Sequence, residues 1–223
     1  MSAGLRDRVM VIGIAGGSGA GKTLLARLIR ERYADVQLSV LDEDSYYMDR
    51  GDVSESQRGA LNYDEPAGID HETLVAHLEL LRSRRPTLKP RYCFVTHRRL
   101  AEADAVSPSD IVIVEGLFAL WHPRVRALLD LKIFIDVNAD VRFIRRLRRD
   151  ITERGRSVDS VIDQYLATVR PMYQLHVAPT RQYADLVISG DHFDGGVSAV
   201  IAAIDSRLRP SLASGGQMET QRV

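Results

Sequence analysis

Eight consecutive residues constrain this chain more than any others: Gly16-Gly17-Ser18-Gly19-Ala20-Gly21-Lys22-Thr23. A glycine, four residues and then Gly-Lys-Thr is the spacing of a loop that wraps phosphate. The flanks agree with it. Val9 to Ala15 is a continuous β-rich apolar run, which predicts a buried parallel strand. Thr23 to Arg32 has helical spacing, with Leu24, Leu28 and Ile29 able to share a face. Glycines let the backbone close on an anion and aim successive N–H groups inward. A helix N-terminus adds partial positive charge. Lys22 is then placed to reach the β- and γ-phosphates of a nucleotide, and the Thr23 hydroxyl to ligate Mg²⁺.

The 223 residues, 45% of them hydrophobic, suit one large α/β domain. The formal net charge of zero gives no overall field toward nucleic acid or a membrane surface. With Cys93 as the only cysteine, no intrachain disulfide can form, which fits a reducing compartment. No apolar run is long enough to span a bilayer, and Met1 to Arg8 has no signal-like core. The expectation is a soluble cytoplasmic protein.

Further apolar runs at 37–42, Asp110 to Glu115, Leu131 to Asp136 and Asp185 to Ser189 read as four more strands. Helical patterns fall between them: His71 to Arg84 behind the N-cap Asp70, Asp140 to Arg154, Val158 to Gln174 with a stop near Pro171, and Val197 to Leu208. Strands alternating with helices predict a parallel sheet covered on both faces. Residues 49–68 read as a long loop and Pro86 to Val95 as a hairpin outside the main sheet. A single domain is expected over 1–208, with the hairpin at about 86–99 and an arginine-rich lid at about 146–176. Residues 209–223 read as a disordered tail.

Phosphate loops serve many reactions, so the remaining polar clusters must name the chemistry. Asp42-Glu43-Asp44 follows the second strand, where ligands of open parallel sheets bind. One of these acids could take the proton of an attacking hydroxyl; an acidic turn capping a helix is an equal reading. Glu115 closes the third strand, the position of an acid that supports Mg²⁺. Arg142, Arg145, Arg146 and Arg149 share one helix face, while Ile144, Leu147 and Ile151 line another that is expected to face the core. With few acids between them, the arginines call for an anionic ligand, against the alternative of a solvated face. In Arg91 to Arg99 the aromatics and His97 could stack on a heterocycle, but the residues alone favour a hairpin with a cross-strand aromatic pair.

Taken in order, these segments resemble the uridine kinase (uridine–cytidine kinase) family of phosphate-loop kinases. The match runs from about Val9 to about Gly190. It is carried by the phosphate loop, Asp44-Ser45-Tyr46-Tyr47, Asn62-Tyr63-Asp64-Glu65-Pro66, Tyr92 to His97 and Val114-Glu115-Gly116. It continues through Asp140 to Asp150, Glu153-Arg154-Gly155-Arg156, Gln164-Tyr165 and Arg170-Pro171-Met172-Tyr173. The resemblance implies phosphorylation of the 5′-hydroxyl of a pyrimidine ribonucleoside by ATP or GTP, with Mg²⁺. It makes Asp44 the catalytic base, aided by Lys22 and Arg149. Asp64, Arg156 and Gln164 would hold the nucleoside, and Tyr92, Phe94 and His97 the base. Arg146 would lie near the sugar, Arg149 and Arg154 on the phosphates, and Thr23, Glu115 and Asp44 around the metal. A homotetramer is also implied. Cys93 stands where the family commonly has an acid, Arg98 where a small residue is frequent, and Met48 to Gly59 has no counterpart; these bear on which nucleoside is accepted. Two competing expectations stand beside this one. The first is a related kinase with another alcohol acceptor, such as a sugar phosphate or a pantothenate-like compound. The second is a nucleotide-binding protein that transfers nothing.

Overall fold

The computed structural model describes residues 8–58 and 61–208. The expected tail, 209–223, lies outside them.

Five strands form one parallel sheet. They are β1 (Met10–Gly16), β2 (Leu38–Asp42), β5 (Ile111–Gly116), β6 (Leu131–Asp136) and β7 (Leu186–Ser189), in the spatial order β2-β5-β1-β6-β7. The phosphate-loop strand β1 therefore lies at the centre, paired from Met10↔Ile111 to Ala15↔Gly116 on one side and from Ile12↔Leu131 on the other. Every residue of β1 and β5 is buried. Alternate β1 side chains enter two separate cores, as the period of two demands. Val9, Val11 and Ala15 join Leu41, Phe118 and Phe134 on one face. Met10, Ile12 and Ile14 join Leu25, Ile29, Val200 and Ile204 on the other.

The first core is covered by α3 (His71–Arg82), and α4 (Pro123–Leu128) closes its edge. The second is covered by α1 (Lys22–Arg32) and α8 (Phe193–Leu208). In the long loop after β2 only the short α2 (Glu55–Arg58) is helical before a 3₁₀ turn at Pro66–Gly68. The antiparallel hairpin of β3 (Thr87–Cys93) and β4 (Arg98–Val106) stands apart from the main sheet. Its second strand runs further than expected. Residues 100–105 are exposed, so they carry no hydrophobic alternation to announce them. On α1, Leu25, Ala26 and Ile29 are buried and Leu24 points outward.

Two corrections concern the helices after β6. In α5 (Ala139–Thr152) the buried residues are Arg142, Arg146 and Asp150, while Ile144 and Ile151 are exposed, the reverse of the expected orientation. Hydrophobicity failed there because the charged face meets the phosphate loop and carries its own counter-charge. The expected stop at Pro171 does not occur either. From α6 (Val158–Gln164) the chain passes through a π-helical turn at Tyr165–Val169, then α7 (Arg170–Met172), then a second π turn at Tyr173–Val177. The widened turn, with the Arg170 N–H bonded back to the Tyr165 carbonyl, takes up the proline that an unbroken α-helix would not tolerate.

Candidate active site

The phosphate loop takes its shape from three glycines with positive φ: Gly16 at 154°, Gly19 at 79° and Gly21 at 102°. Gly21 is the left-handed residue directly before α1, where a side chain would be strained. Helix α5 presses on the outside of the loop. A Cβ on Gly17 would lie 2.4 Å from Arg142 Nη1, and one on Gly19 2.4 Å from the Arg142 carbonyl oxygen. Ala20 is wholly buried between these glycines. Arg146 Nη1 donates to Ser18 Oγ at 3.1 Å. Lys22 folds back over the loop and donates to the Gly17 carbonyl at 3.2 Å. The Thr23 hydroxyl donates to Glu115 Oε1 at 2.7 Å across the β1–β5 boundary.

The three acids at and after the end of β2 go three separate ways. Asp42 bonds Lys89 and Ser45. Glu43, 1% exposed, accepts the Phe118 N–H at 2.7 Å. Asp44 remains beside Lys22. Burial raises its pKa from 3.8, opposed by the charges of Lys22, Arg154 and Arg149. Burial also lowers the Lys22 pKa, opposed by Glu115, Asp44 and Glu43. Glu115 is raised by burial and held back by Lys22 and the Thr23 hydrogen bond. Lys22 is thus flanked by two carboxylates at the carboxyl ends of the central strands.

A second group sits on the lid side. Asp64, buried, accepts from Thr168 Oγ1 at 2.9 Å, and its pKa is raised by burial against the pull of Arg146. Gln164 Oε1 accepts from Arg146 at 2.8 Å and also from Arg156. All four arginines of this region converge on Asp150, which has no exposure at all. Arg149 binds it at 2.8 Å, Arg146 lies 3.4 Å away, and Arg154 and Arg156 each 3.8 Å.

The hairpin brings the aromatics to the same region. Tyr47 meets Tyr92, Phe94 and Tyr63 with ring centroids 5.1, 6.4 and 5.7 Å apart. His97 stacks on Tyr63 at 4.7 Å and 14°. Its φ of 53° sets the tight hairpin turn, and burial with Arg156 and Arg58 nearby lowers its pKa from 6.5. Arg154 lies 4.8 Å over the ring of Phe94, which is 39% exposed. Tyr47 belongs to the first core and Tyr63 and Tyr92 pack against it, while Phe94 and His97 keep access to solvent.

Every residue expected from the sequence thus falls into one of three adjoining groups: loop, acid–arginine cluster or hairpin. The sequence reading missed Asp150 as the hub of the arginines, Thr168 as the partner of Asp64, and Tyr63 as the stacking partner of His97. The i to i+4 spacing from Arg146 to Asp150 was the available signal for the first.

The sequence profile of the Phosphoribulokinase / Uridine kinase family matches residues 11–191. This chain belongs to that family. A relative named uridine kinase from Clostridium botulinum (strain 657 / Type Ba4) is 45% identical over 203 residues, 91% of this chain and 98% of the relative. A uridine kinase from Geobacillus kaustophilus (strain HTA426) is 44% identical over 88% of this chain and 90% of its own length. The fold is shared more widely. A phosphoribulokinase from Rhodobacter spheroides superposes with a TM-score of 0.62 at 17% identity, over 82% of this chain and 70% of the other. A D-glycerate 3-kinase from Cryptococcus neoformans gives 0.59 at 17%, over 83% and 87%. The fold is shared with proteins whose names give other acceptors, so the acceptor must be argued from the side chains around Asp64 and the hairpin.

Proposed function

We propose that this protein transfers the γ-phosphoryl group of ATP or GTP to the 5′-hydroxyl of uridine or cytidine. The observation that carries the reading is the meeting of the Tyr92–Phe94–His97 hairpin with Asp64 and the lid arginines, on the side of the loop where Asp44 faces Lys22. A flat, polar-edged base suits an aromatic cluster with an imidazole, and neighbouring ribose hydroxyls suit a buried carboxylate. The high identity to proteins named uridine kinase supports the same acceptor.

In this reading Asp44 takes the proton as the acceptor oxygen bonds to the γ-phosphorus and the bond to the β-phosphate oxygen breaks. Burial moves Asp44 up toward the range useful for a base. Lys22 and Arg149 face the charge that spreads over the transferred oxygens. Arg154 bridges lid and hairpin, so lid position and nucleoside occupancy are linked, which favours transfer to the sugar over water.

Thr23, Glu115 and Asp44 present hard oxygen donors of the kind Mg²⁺ selects. Among the described residues no group of three or more His, Cys, Asp and Glu side chains could hold a metal alone, which fits an ion that shares its ligands with nucleotide phosphates. When bound, it would neutralise phosphate charge. Labelled ATP offered with a panel of alcohols tests the proposal. Uridine- or cytidine-dependent ADP release is expected, and Asp44→Ala should abolish it while nucleotide binding survives. Phosphorylation of a sugar phosphate with no response to either nucleoside would refute it. His97→Ala should cripple a base-reading enzyme and barely affect one whose acceptor has no base.

A further inference from the structure

At the first turn of α5 lies a cavity of about 370 Å³. Its lining includes Asp140, Arg142 and Phe143 from the first turn of α5, and Tyr165, Arg170 and Tyr173 from the helical run after the lid. None of these is needed by the reaction proposed above. The volume falls in the range of small-molecule sites.

Arg142 makes this cavity more than a packing defect. The residue is 4% exposed. Its Nε donates to the Val137 carbonyl at 2.9 Å, and its guanidinium lies 3.8 Å over the Tyr173 ring. Among the described residues its Nη groups have no hydrogen-bond partner, and no carboxylate lies within 4 Å of it. Asp140 on the rim does not pair with it, and Asp136 is engaged by Arg181 at 3.4 Å. The contrast with Arg146, one turn on and paired with Asp150, is direct. Its Nη groups are not closed off from solvent, so an anion that enters the cavity can reach them. The start of the 14-residue α5 adds its partial positive charge to the same space, and Arg170 adds a second cation at the rim. The walls are aromatic on two sides. Tyr165 opens the first π turn and Tyr173 the second, and such turns recur at functional sites.

We propose that this cavity is a second small-molecule site, which takes an aromatic phosphate. The ring lies against Tyr165, which Phe143 backs with ring centroids 4.6 Å apart, and the anionic group meets Arg142 and Arg170. Arg142 touches Gly17 of the loop, and the helix that carries Tyr165 also carries Gln164 and Thr168. The site is therefore in contact with the catalytic machinery without being part of it, whichever alcohol that machinery phosphorylates.

Isothermal titration of phenyl phosphate into the full-length protein, saturated beforehand with AMP-PNP and Mg²⁺, tests this. One phenyl phosphate per chain is expected to bind, more tightly than inorganic phosphate by roughly tenfold. Arg170→Glu, a change on the surface, should weaken it by at least about tenfold, and Tyr165→Leu should erase the preference over inorganic phosphate. No binding up to about 5 mM would overturn the proposal. So would binding unaltered in both variants, or binding lost on saturation with AMP-PNP, which would place the ligand in the phosphate loop itself.

Discussion

Asp150 is the residue on which the arginine face of α5 depends, and Asp150→Asn tests that with almost no change of shape. Its carboxylate is fully buried and lies within 4 Å of Arg146, Arg149, Arg154 and Arg156. The four pairs do not contribute equally. The side chains of Arg149, Arg154 and Arg156 are 32%, 33% and 28% exposed, so water screens each of them and each contributes about 1 kcal/mol or less. Arg146 is 8% exposed at 3.4 Å, and the loss of one partner from a buried pair costs about 3–5 kcal/mol. Asparagine still accepts one bond from Arg149, which trims the total toward about 3 kcal/mol. For a chain of this length that lowers Tm by roughly 6–12 °C. Urea and thermal unfolding read the stability. Steady-state kinetics read the consequence for the site: KM should rise for donor and acceptor together, because Arg146 touches Ser18 and Gln164 and Arg154 touches Phe94. A Tm within a degree or two of the parent, with both KM values unchanged, would refute the view that Asp150 holds the cluster.

Asp44 should show a trade between stability and rate. An acid whose folded pKa is raised holds its proton more tightly when folded, so stability falls as pH climbs from 3.8 through the raised value. Asp44→Asn is therefore expected to melt higher than the parent at neutral pH and alike below pH 3.8, with kcat down roughly 10²–10⁴-fold. The parent's rate should fall at acid pH with an inflection above 3.8 that the variant lacks. Thr23→Val breaks the 2.7 Å bond to Glu115 and should raise the Mg²⁺ concentration needed for half-maximal rate, with acceptor KM little changed in a metal titration. Gly116→Ala would set a Cβ 2.1 Å from Glu43 Oε2 and 2.3 Å from its Cβ. Neither atom is free to yield, so soluble yield and Tm should both drop sharply, by several kcal/mol in unfolding titrations.

The parallel sheet was legible because its central strands are buried on both faces and read as unbroken apolar runs, Val9 to Ala15 and Ile111 to Val114. The phosphate loop was legible because its geometry needs glycine at fixed positions. Helix α5 was found, but its orientation was inverted. A moment built on hydrophobicity turns the isoleucines inward, yet here the inward face is ionic and neutralised by a residue four positions on. The run after α6 was cut short at Pro171 because sequence patterns assume α geometry, and the π turns that absorb the proline leave no compositional mark. Strand β4 was hidden by its own exposure, since a strand without a buried face has no alternation to read.

The candidate base illustrates what only coordinates supply. Asp42, Glu43 and Asp44 are chemically near-identical and adjacent, so their order in the chain could not rank them. Asp42 is the extended last residue of β2; a 3₁₀ turn begins at Glu43, and with three residues per turn it sends Glu43 and Asp44 about 120° apart. One direction leads outward to Lys89, where Asp42 is tied down. The next leads into the core, where Glu43 is pinned to the Phe118 N–H and fits only because residue 116 is glycine. The third leads toward Lys22, and Asp44 takes it. Glu43 thereby joins the turn that carries Asp44 to the loop that follows Glu115, which fixes both carboxylates that flank Lys22 relative to one another. On this geometry a substitution at Glu43 should move Asp44 without touching any ligand. Glu43→Gln, which keeps an acceptor for Phe118, should retain most of the kcat that Glu43→Ala loses, while both leave nucleotide affinity near that of the parent. Equal loss of kcat in the two variants would separate Glu43 from the placement of the base.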